Sequence, residues 1–335
     1  MIILRLLVMA ALFLPPFAAR AAGDAVILMY HRFGEEKYPT TNVRLDQFEA
    51  HLEELASGAY HVLPLAAIVT AWQSGKALPE RTVAITIDDA FASVFTEAAP
   101  RLASYGFAYT VFVSTRVVDQ GDPGYMSWQQ MRQLRDQGAS FANHTVAHRS
   151  MLDLPAAQNR QEIIAANQRL EAELGRRPVF FSYPYGEFSA KARKIVKDAG
   201  FSAAFAQFSS VASAGADRFA LPRFAINEHY GGLARFRLIA SARALPVIDQ
   251  TPHDPLITRN PPAFGFTVAR KVPGLRVLAC YPSHMEVPAR LERLGERRIE
   301  VRFDEPFPKG RARINCTMPG PEGRWYWFGA PFFIR

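Results

Sequence analysis

The sequence has very few cysteines. Cys280 and Cys316 are the only two among 335 residues, and they lie far apart in the chain. They lack the closely spaced partner ligands of a structural zinc site, which argues against one. In an exported chain an isolated pair is typical of a single disulfide, which we predict here; two buried free thiols are the alternative.

Beyond its first residues the chain also lacks apolar runs long enough to cross a membrane. The N-terminus has Arg5, an apolar stretch over residues 6–17 and the small-residue sequence Ala19-Arg20-Ala21, the layout of a cleavable signal peptide. Pro15 and Pro16 interrupt that stretch, which is shorter than the roughly 20 residues of a spanning helix. We therefore predict a signal peptide over residues 1–21 and an exported protein, periplasmic or extracellular, with no membrane span after cleavage.

Net charge is absent from most of the remaining chain. Between the predicted signal peptide and Gln250, 23 basic residues balance 23 acidic ones, whereas residues 250–335 contain 14 basic and 8 acidic residues. The excess favours an anionic component of the cell envelope as a partner of the C-terminal part. A solvated basic surface without a partner is the alternative, and we expect no nucleic-acid partner.

Short β-rich runs alternate with amphipathic stretches between about residues 25 and 245, and seven or eight such units predict a parallel sheet in a closed or nearly closed α/β barrel. We assign residues 22–249 to this catalytic domain. The strand candidates cover residues 25–31, 61–65, 82–88, 109–114, 139–144, 179–184, 203–208 and 220–226. The helix candidates cover residues 45–56, 95–105, 127–137, 156–174 and 190–199.

The pattern changes after residue 249. Residues 250–262 are rich in proline and are predicted to form a linker. Residues 263–335 contain short strands separated by turns and no convincing helix, which predicts a small all-β sandwich domain.

Polar residues follow several predicted strands at their C-terminal ends. The apolar run TVAITI ends in Asp88 and Asp89, and the strand ASFAN ends in His144, with His148 four residues later. His31, Tyr185 and the sequence Asn227-Glu228-His229 follow three other strands. Each position alone has an ordinary structural explanation, but in parallel α/β barrels this end of the sheet is the active-site face.

Two histidines four residues apart and one carboxylate form the open three-ligand set of a catalytic zinc or similar divalent ion. Adjacent side chains of an extended strand point in opposite directions, so the second carboxylate is free to accept a proton from water. We favour Asp89 as the ligand, with His144 and His148, and Asp88 as the base. The spacing alone leaves the roles of the two carboxylates open.

Three segments in order resemble the motifs of the polysaccharide deacetylases of carbohydrate esterase family 4, the NodB-homology domain. They are Thr86-Ile87-Asp88-Asp89-Ala90, His144-Thr145-Val146-Ala147-His148 and Tyr183-Pro184-Tyr185-Gly186. The segment Met29-Tyr30-His31-Arg32-Phe33 also resembles the exported members that act on N-acetylglucosamine polymers.

The resemblance covers about residues 25–245 and implies a distorted (β/α)7 barrel, which is TIM-like. It implies Asp88 as general base and Asp89, His144 and His148 as ligands of a divalent metal, most simply zinc, with cobalt or nickel as alternatives. It also implies that the backbone N–H of Tyr185 binds the oxyanion of the reaction.

The sequence departs from the family pattern at several positions. Ala90 stands where the family has glycine, and Ser182 stands where it has an arginine that orients the base. Arg223, on a neighbouring predicted strand, is a candidate replacement for that arginine. The family's usual histidine motif for the catalytic acid is missing, so we consider His229, which we favour slightly, and His31.

These features predict a metal-dependent hydrolase that removes N-acetyl groups from an envelope or extracellular polysaccharide and releases acetate. One alternative is a metal-dependent esterase or amidase that acts on small acyl compounds. Another is a non-catalytic polysaccharide-binding protein on the same scaffold, because the acid motif is missing.

Overall fold

The computed structural model describes residues 23–335, and the predicted signal peptide lies outside them. The N-terminal part is a mixed α/β structure built on a curled sheet. Its strands are β1 (Asp24–Tyr30), β2 (Arg32–Phe33), β3 (Asn42–Val43), β4 (His61–Val62), β5 (Thr82–Asp88), β6 (Tyr109–Val113), β7 (Ser140–Asn143), β8 (Phe180–Ser182), β9 (Ala203–Phe205), β10 (Ala212–Ser213) and β11 (Phe224–Ala225).

Eight helices accompany these strands in the described chain, and a short π-helical turn over Val94–Ala98 leads into the third. They are α1 (Leu45–Ala56), α2 (Leu65–Gln73), α3 (Ala99–Ser104), α4 (Thr115–Asp119), α5 (Trp128–Asp136), α6 (Ala156–Leu174), α7 (Ala190–Asp198) and α8 (Leu233–Ala240). The helices α1 and α6 have the predicted bounds, and Ser127 caps α5 as expected. The helices α2, α4 and α8 are not among those predicted from the sequence.

Seven of the nine strands of the sheet run parallel in the order β11-β1-β5-β6-β7-β8-β9. The short strand β4 pairs with β5 in parallel, and β10 pairs with β1 antiparallel. An isolated bridge between Phe205 and Leu221 brings the two ends of this order together, so the sheet is strongly curled. All seven residues of β5 are buried, because helices cover one side of the strand and the curled sheet encloses the other. Since the strands are parallel, their C-terminal ends meet on one side of the sheet. The predicted mixed α/β architecture with a parallel sheet is confirmed.

The rest of the chain forms two sheets around one apolar core. One sheet has the order β12-β20-β19-β16, with β14 paired to β20, and the other has the order β13-β15-β18-β17. The strands are β12 (Arg243–Ala244), β13 (Val247–Thr251), β14 (Leu256–Ile257), β15 (Phe264–Val268), β16 (Ala279–Pro282), β17 (Arg290–Leu294), β18 (Arg298–Arg302), β19 (Gly310–Pro319) and β20 (Trp325–Ile334).

Residues 250–262, for which the sequence predicts a linker, contain the end of β13 and all of β14. This segment is hydrogen-bonded into both sheets, so it does not span free space between two parts. The predicted disulfide between Cys280 and Cys316 is confirmed, and it joins directly paired positions of β16 and β19. Within residues 23–335, no helix is long and apolar enough to cross a membrane.

The strand β20 connects the two parts of the molecule. Its Trp327 packs edge-on against Phe224 of β11, with ring centroids 5.2 Å apart. Arg324, just before β20, is buried and forms an ion pair with Glu80, which lies next to the N-terminal end of β5. These contacts hold the two C-terminal sheets against the curled sheet.

Candidate active site

The polar residues that follow β5 and β7 meet at the C-terminal side of the curled sheet. The ligand atoms of Asp89, His144 and His148 all lie within 4.8 Å of one another. The Oδ1 atom of Asp89 is 3.3 Å from Nε2 of His148 and 3.6 Å from Nε2 of His144, and the two Nε2 atoms are 3.1 Å apart. Tetrahedral ligands of one zinc ion are about 3.4 Å apart, given metal–ligand distances near 2.1 Å. The three residues therefore fit a single divalent ion.

Hydrogen bonding prepares His144 as a ligand. Its Nδ1 donates to the carbonyl oxygen of Ser182 at 2.7 Å, which leaves Nε2 as the free lone-pair donor. Burial lowers the pKa of His144 to about 3 and also lowers the pKa of His148, so both imidazoles are neutral at physiological pH. Neutral imidazole is the form that binds a metal.

Asp89 occupies an environment that favours a bound cation. Burial, reinforced by the neighbouring negative charge of Asp88, raises the pKa of the Asp89 carboxyl to about 6. A buried carboxylate without sufficient positive charge is unfavourable, and a divalent ion would supply that charge. The electrostatics thus agree with the ligand geometry.

Asp88 is fully buried and bound on its other side by Arg223. The Nη1 and Nη2 atoms of Arg223 donate to the two carboxylate oxygens of Asp88, each at 2.7 Å. Burial alone raises the pKa of Asp88, but the Arg223 guanidinium outweighs it and holds that pKa below its usual range. Asp88 is therefore a fixed, ionised acceptor next to Asp89.

Arg223 is itself held by several acceptors although its side chain has no exposed surface. Nη2 donates to Oγ of Ser182 at 2.8 Å, Nη1 to Oγ1 of Thr86 at 3.2 Å and Nε to the carbonyl oxygen of Ala206 at 3.1 Å. Ser182 stands at the position that is arginine in the family that the sequence resembles. Here it supports the guanidinium of Arg223, which reaches Asp88 from the start of β11. Such a planar, bidentate contact is specific to arginine.

The segment Tyr183-Pro184-Tyr185-Gly186 forms a tight turn after β8. Tyr185 has φ 59°, and its N–H has no hydrogen-bond acceptor within residues 23–335. A side-chain carbon on Gly186 would lie 2.4 Å from the backbone nitrogen of Gln207, so only glycine fits there. The turn leaves the N–H of Tyr185 available, while its ring contacts His148 with centroids 4.5 Å apart.

Unfavourable backbone conformations concentrate at this site. Eight non-glycine residues of the described chain have positive φ, and five of them are here: Asp89, Ala90, Thr145, His148 and Tyr185. Each costs on the order of 1–3 kcal/mol, which the surrounding packing must offset. The φ of 60° at Ala90 explains why glycine is the easier residue there, whereas the alanine methyl fills a fully buried position. Clustered strain of this kind is a feature of functional sites.

The two predicted proton-donor candidates lie in different places. His31 follows β1 and is partly buried, and a positive charge on its ring would act on both Asp88 and Asp89, so it is within electrostatic reach of the site. His229 is exposed in the loop after β11, where its ring contacts Tyr230 with centroids 4.6 Å apart. The structure brings His31, but not His229, into electrostatic contact with the carboxylates.

Gln207 is a site residue that the sequence analysis does not single out. It follows β9, and its Nε2 lies 3.4 Å from Oδ2 of Asp88. It lies near the end of the strand predicted over residues 203–208 and two residues after the observed β9. A polar residue near the C-terminal end of a strand of the parallel sheet is the signal that could have identified it, because Asp88 and His144 also lie at such ends.

Comparison with known proteins identifies the family of the N-terminal part. A family model described as polysaccharide deacetylase matches residues 75–204, which include Asp88, Asp89, His144, His148 and Tyr185. The chain contains a polysaccharide deacetylase domain. The Bacillus subtilis protein YxkH, named as a polysaccharide deacetylase, is 26% identical over 209 residues, which are 62% of this chain and 73% of that protein.

Solved structures share the fold of this deacetylase domain. The Streptococcus pyogenes deacetylase PplD superimposes with a TM-score of 0.60 at 21% identity, over 64% of this chain and 96% of that one. IcaB from Ammonifex degensii gives a TM-score of 0.59 at 22% identity, over 66% of this chain and 99% of that one. At such identities the likeness concerns the fold alone.

Proposed function

We propose that this protein hydrolyses N-acetyl groups of an envelope or extracellular polysaccharide and releases acetate, in a metal-dependent reaction. The observation that supports this most directly is the pairing of two different carboxylate environments at one site. Asp89 faces two neutral imidazoles that suit a metal, and Asp88 faces Arg223 and is held ionised. The deacetylase domain supplies the family context for this chemistry.

In this proposal Asp89, His144 and His148 hold a divalent ion, most simply zinc, with cobalt or nickel as alternatives. When bound, such an ion polarises the substrate carbonyl and lowers the pKa of water. Asp88 accepts the proton of the attacking water, and Arg223 fixes the orientation of its carboxylate. The N–H of Tyr185 donates to the oxygen that becomes negatively charged when the water adds.

The nitrogen of the amide must receive a proton before the C–N bond can break, because an amine anion is a poor leaving group. The electrostatic contact of His31 with both carboxylates supports His31 as the donor over His229. If so, His31→Ala lowers turnover of an amide substrate far more than that of an activated acetate ester, whose leaving group departs without a proton. His229→Ala serves as the comparison, and the reverse result would assign the role to His229.

The proposed reaction is tested by acetate release from chitin oligomers, poly-β-1,6-N-acetylglucosamine and peptidoglycan fragments. Asp88→Asn keeps the shape of the side chain and removes the base, so we expect a loss of roughly two to four orders of magnitude in rate. Asp304→Asn, at an exposed position of the C-terminal part, is the matched control. Activity of Asp88→Asn close to that of the unsubstituted protein would refute the assignment of the base.

Other outcomes would favour the alternatives. Turnover of small acetate esters without any release from polysaccharides would indicate a small-molecule esterase. Binding of a polysaccharide with no turnover of any substrate would indicate a non-catalytic binding protein.

We further propose the organisation that accompanies this function. The curled sheet represents a distorted (β/α)7 barrel within a catalytic domain predicted over residues 22–249. The accessory β-sandwich, predicted over residues 263–335, also takes in the earlier strands β12, β13 and β14. Export to the periplasm or the cell exterior, after cleavage of residues 1–21, agrees with the disulfide. The basic C-terminal part is proposed to face an anionic component of the envelope.

A further inference from the structure

A cleft of about 520 Å³ lies beside the proposed active site, between the curled sheet and the C-terminal sheets. On the side of the active site it is lined by Tyr185, Gln207 and Arg223. Its other walls include three arginines, Arg235 of α8 and Arg311 and Arg313 of β19, together with Tyr230 and Trp327. We call it the basic cleft. It exists only because β19 and β20 pack against the curled sheet.

The positive charges of the basic cleft lack matching carboxylates. None of the described residues that line it is an aspartate or a glutamate. Arg223, which also lines it, is neutralised by Asp88, whereas the guanidinium of Arg313 has no hydrogen-bond or ion-pair partner within residues 23–335. Arg235 donates to the carbonyl oxygen of Tyr230 at 2.7 Å, which carries no full charge.

Arg311 has only a distant acidic neighbour. Its Nη1 donates to the carbonyl oxygen of Tyr185 at 3.1 Å, and its Nε lies 4.0 Å from a carboxylate oxygen of Glu187. Glu187 is already bound by Arg335 at 2.9 Å. The basic cleft therefore concentrates three positive charges that the protein itself does not balance.

The environment of Arg235 shows the cost of this arrangement. Burial, together with repulsion from Arg313, lowers the pKa of Arg235 to about 10. Like charges in a partly buried cleft repel each other in the free protein, and an entering anion relieves that repulsion. Guanidinium groups bind carboxylate and phosphate oxygens in a bidentate manner, which suits both as ligands.

We propose that the basic cleft binds an oxyanion substituent of the polysaccharide, a carboxylate or a phosphate, near the N-acetyl group that reacts. This inference rests on the proposed function, since it names the substrate class of the same site. Arg311 bonds the carbonyl of Tyr185, whose N–H is the proposed oxyanion donor, so the cleft and the reacting group share one turn of the chain. The exposed ring of Tyr230 and that of Trp327 offer stacking surfaces for the sugar itself.

The test compares three hexasaccharides with the same backbone: chitohexaose, 6-O-carboxymethyl chitohexaose and 6-O-phospho chitohexaose. Dissociation constants are measured by calorimetry on the full chain, and acetate release is followed in parallel. We expect one or both anionic sugars to bind about tenfold more tightly than the neutral sugar, the gain from one charge-assisted hydrogen bond. The derivative with the larger gain identifies carboxylate or phosphate as the substituent.

Arg313→Gln and Arg235→Gln should each reduce that preference, the ratio of the two dissociation constants, to about twofold or less. Arg313 is the cleaner change, because its guanidinium supports no other group within the described chain. Arg270→Gln removes the same charge from an exposed position of the C-terminal part outside the cleft and should keep the preference. Thermal unfolding followed by circular dichroism identifies any variant that fails to fold.

The inference is overturned if neither anionic hexasaccharide binds more tightly than chitohexaose. It is also overturned if Arg270→Gln reduces the preference as much as Arg313→Gln does. Acetate release from chitohexaose without an anion preference would leave the proposed function standing and remove this inference alone. A preference that depends on Arg313, without acetate release from any of the three sugars, would support this inference and contradict the proposed function.

Discussion

Asp88 and Asp89 are neighbours in the chain but lie in opposite electrostatic environments. Arg223 holds the pKa of Asp88 below its usual range, whereas burial raises the pKa of Asp89 to about 6. The left-handed backbone at Asp89, with φ 73°, turns its carboxylate away from Arg223 and toward the two histidines. In the proposed function, this pair of identical side chains supplies both a metal ligand and a separate proton acceptor.

Metal binding should depend on the two histidines individually. His144→Ala or His148→Ala removes one of three ligands, so purified protein should lose its stoichiometric metal while it stays folded. Metal content is measured by mass spectrometry after dialysis, and folding by circular dichroism. His61→Ala, at an exposed position, should keep its metal. Full metal content in both ligand variants would contradict the assignment.

The contact between Arg223 and Asp88 can be tested by moving the arginine. Arg223→Ser leaves Asp88 buried without its cation, and breaking a buried pair in this way costs about 3–5 kcal/mol. The additional change Ser182→Arg places a guanidinium at the position where the deacetylase family has the arginine that orients the base. We expect the double variant to recover part of both the unfolding free energy in urea and the rate of acetate release.

The matched control is Ser182→Arg alone, which places two guanidinium groups against one carboxylate and should be less stable than the double variant. Recovery in the double variant would show that the two positions serve the same carboxylate. If the double variant is no better than Arg223→Ser in either measurement, Arg223 has a different role.

At the scale of elements, the helices α1 and α8 meet through a buried histidine. His51 of α1 stacks on Phe236 of α8 with ring centroids 4.0 Å apart, and its Nε2 lies 2.7 Å from the carbonyl oxygen of Gly231. Its Nδ1 lies 3.1 Å from the hydroxyl oxygen of Tyr30. Burial lowers the pKa of His51 to about 4, so the packed ring is neutral at physiological pH.

This histidine should make the fold sensitive to acid. The unfolded chain binds a proton at His51 near its ordinary pKa of about 6.5, whereas the folded chain does so only near 4, so stability falls as pH decreases through that window. The contribution amounts to about 3 kcal/mol across the window. His51→Gln keeps a hydrogen-bond donor and cannot titrate, so its unfolding free energy should fall less between pH 6.5 and 4. Parallel curves for the two proteins would contradict this.

The elements that the sequence predicts well are those with a strong local signal. The strand β5 is a continuous apolar run that ends in two aspartates, and α6 buries Ile163, Leu170 and Leu174 and ends at Gly175. Helix α2 is almost entirely apolar over nine residues, so its sequence lacks the contrast between two faces that identifies a surface helix. Helix α8 follows the loop that contains His229. It packs against α1, and this contact between distant segments cannot be read from the local sequence.

The residues of the site also differ in how well the sequence predicts them. Asp89 and His144 follow strands directly, so the parallel topology brings them together, and the turn after β7 places His148 beside them. The sequence suggests Arg223 as a partner of Asp88, but the bidentate contact depends on the curl that places β11 near β5. The basic cleft could not be predicted, because Arg235 and Arg313 are far apart in the chain and meet only through the packing of β19.

At the scale of the whole molecule, the two parts share buried surface along β20. Phe333 at one end of this strand packs with Phe188 near the active-site turn, with ring centroids 5.9 Å apart. Near its other end, Trp327 packs with the core of the deacetylase domain. The two parts should therefore unfold together, in a single calorimetric transition, although each has its own apolar core.

Trp327 tests that coupling, because it is the largest side chain of β20 that packs against the deacetylase domain. Its ring contacts Phe224, and its Nε1 donates to Oδ1 of Asn315 at 3.1 Å, so Trp327→Ala removes both an aromatic contact and a hydrogen bond. We expect a loss of about 3 kcal/mol, as for other large aromatic truncations. We also expect the single transition to separate into two, because the interface loses one of the two aromatic contacts that β20 makes with the deacetylase domain. Trp325→Ala is the matched control, since Trp325 lies two residues earlier on the same strand and is 36% exposed. It should change stability by less than about 0.5 kcal/mol and keep one transition. If both variants keep one transition at unchanged temperature, the two parts are joined by contacts other than Trp327.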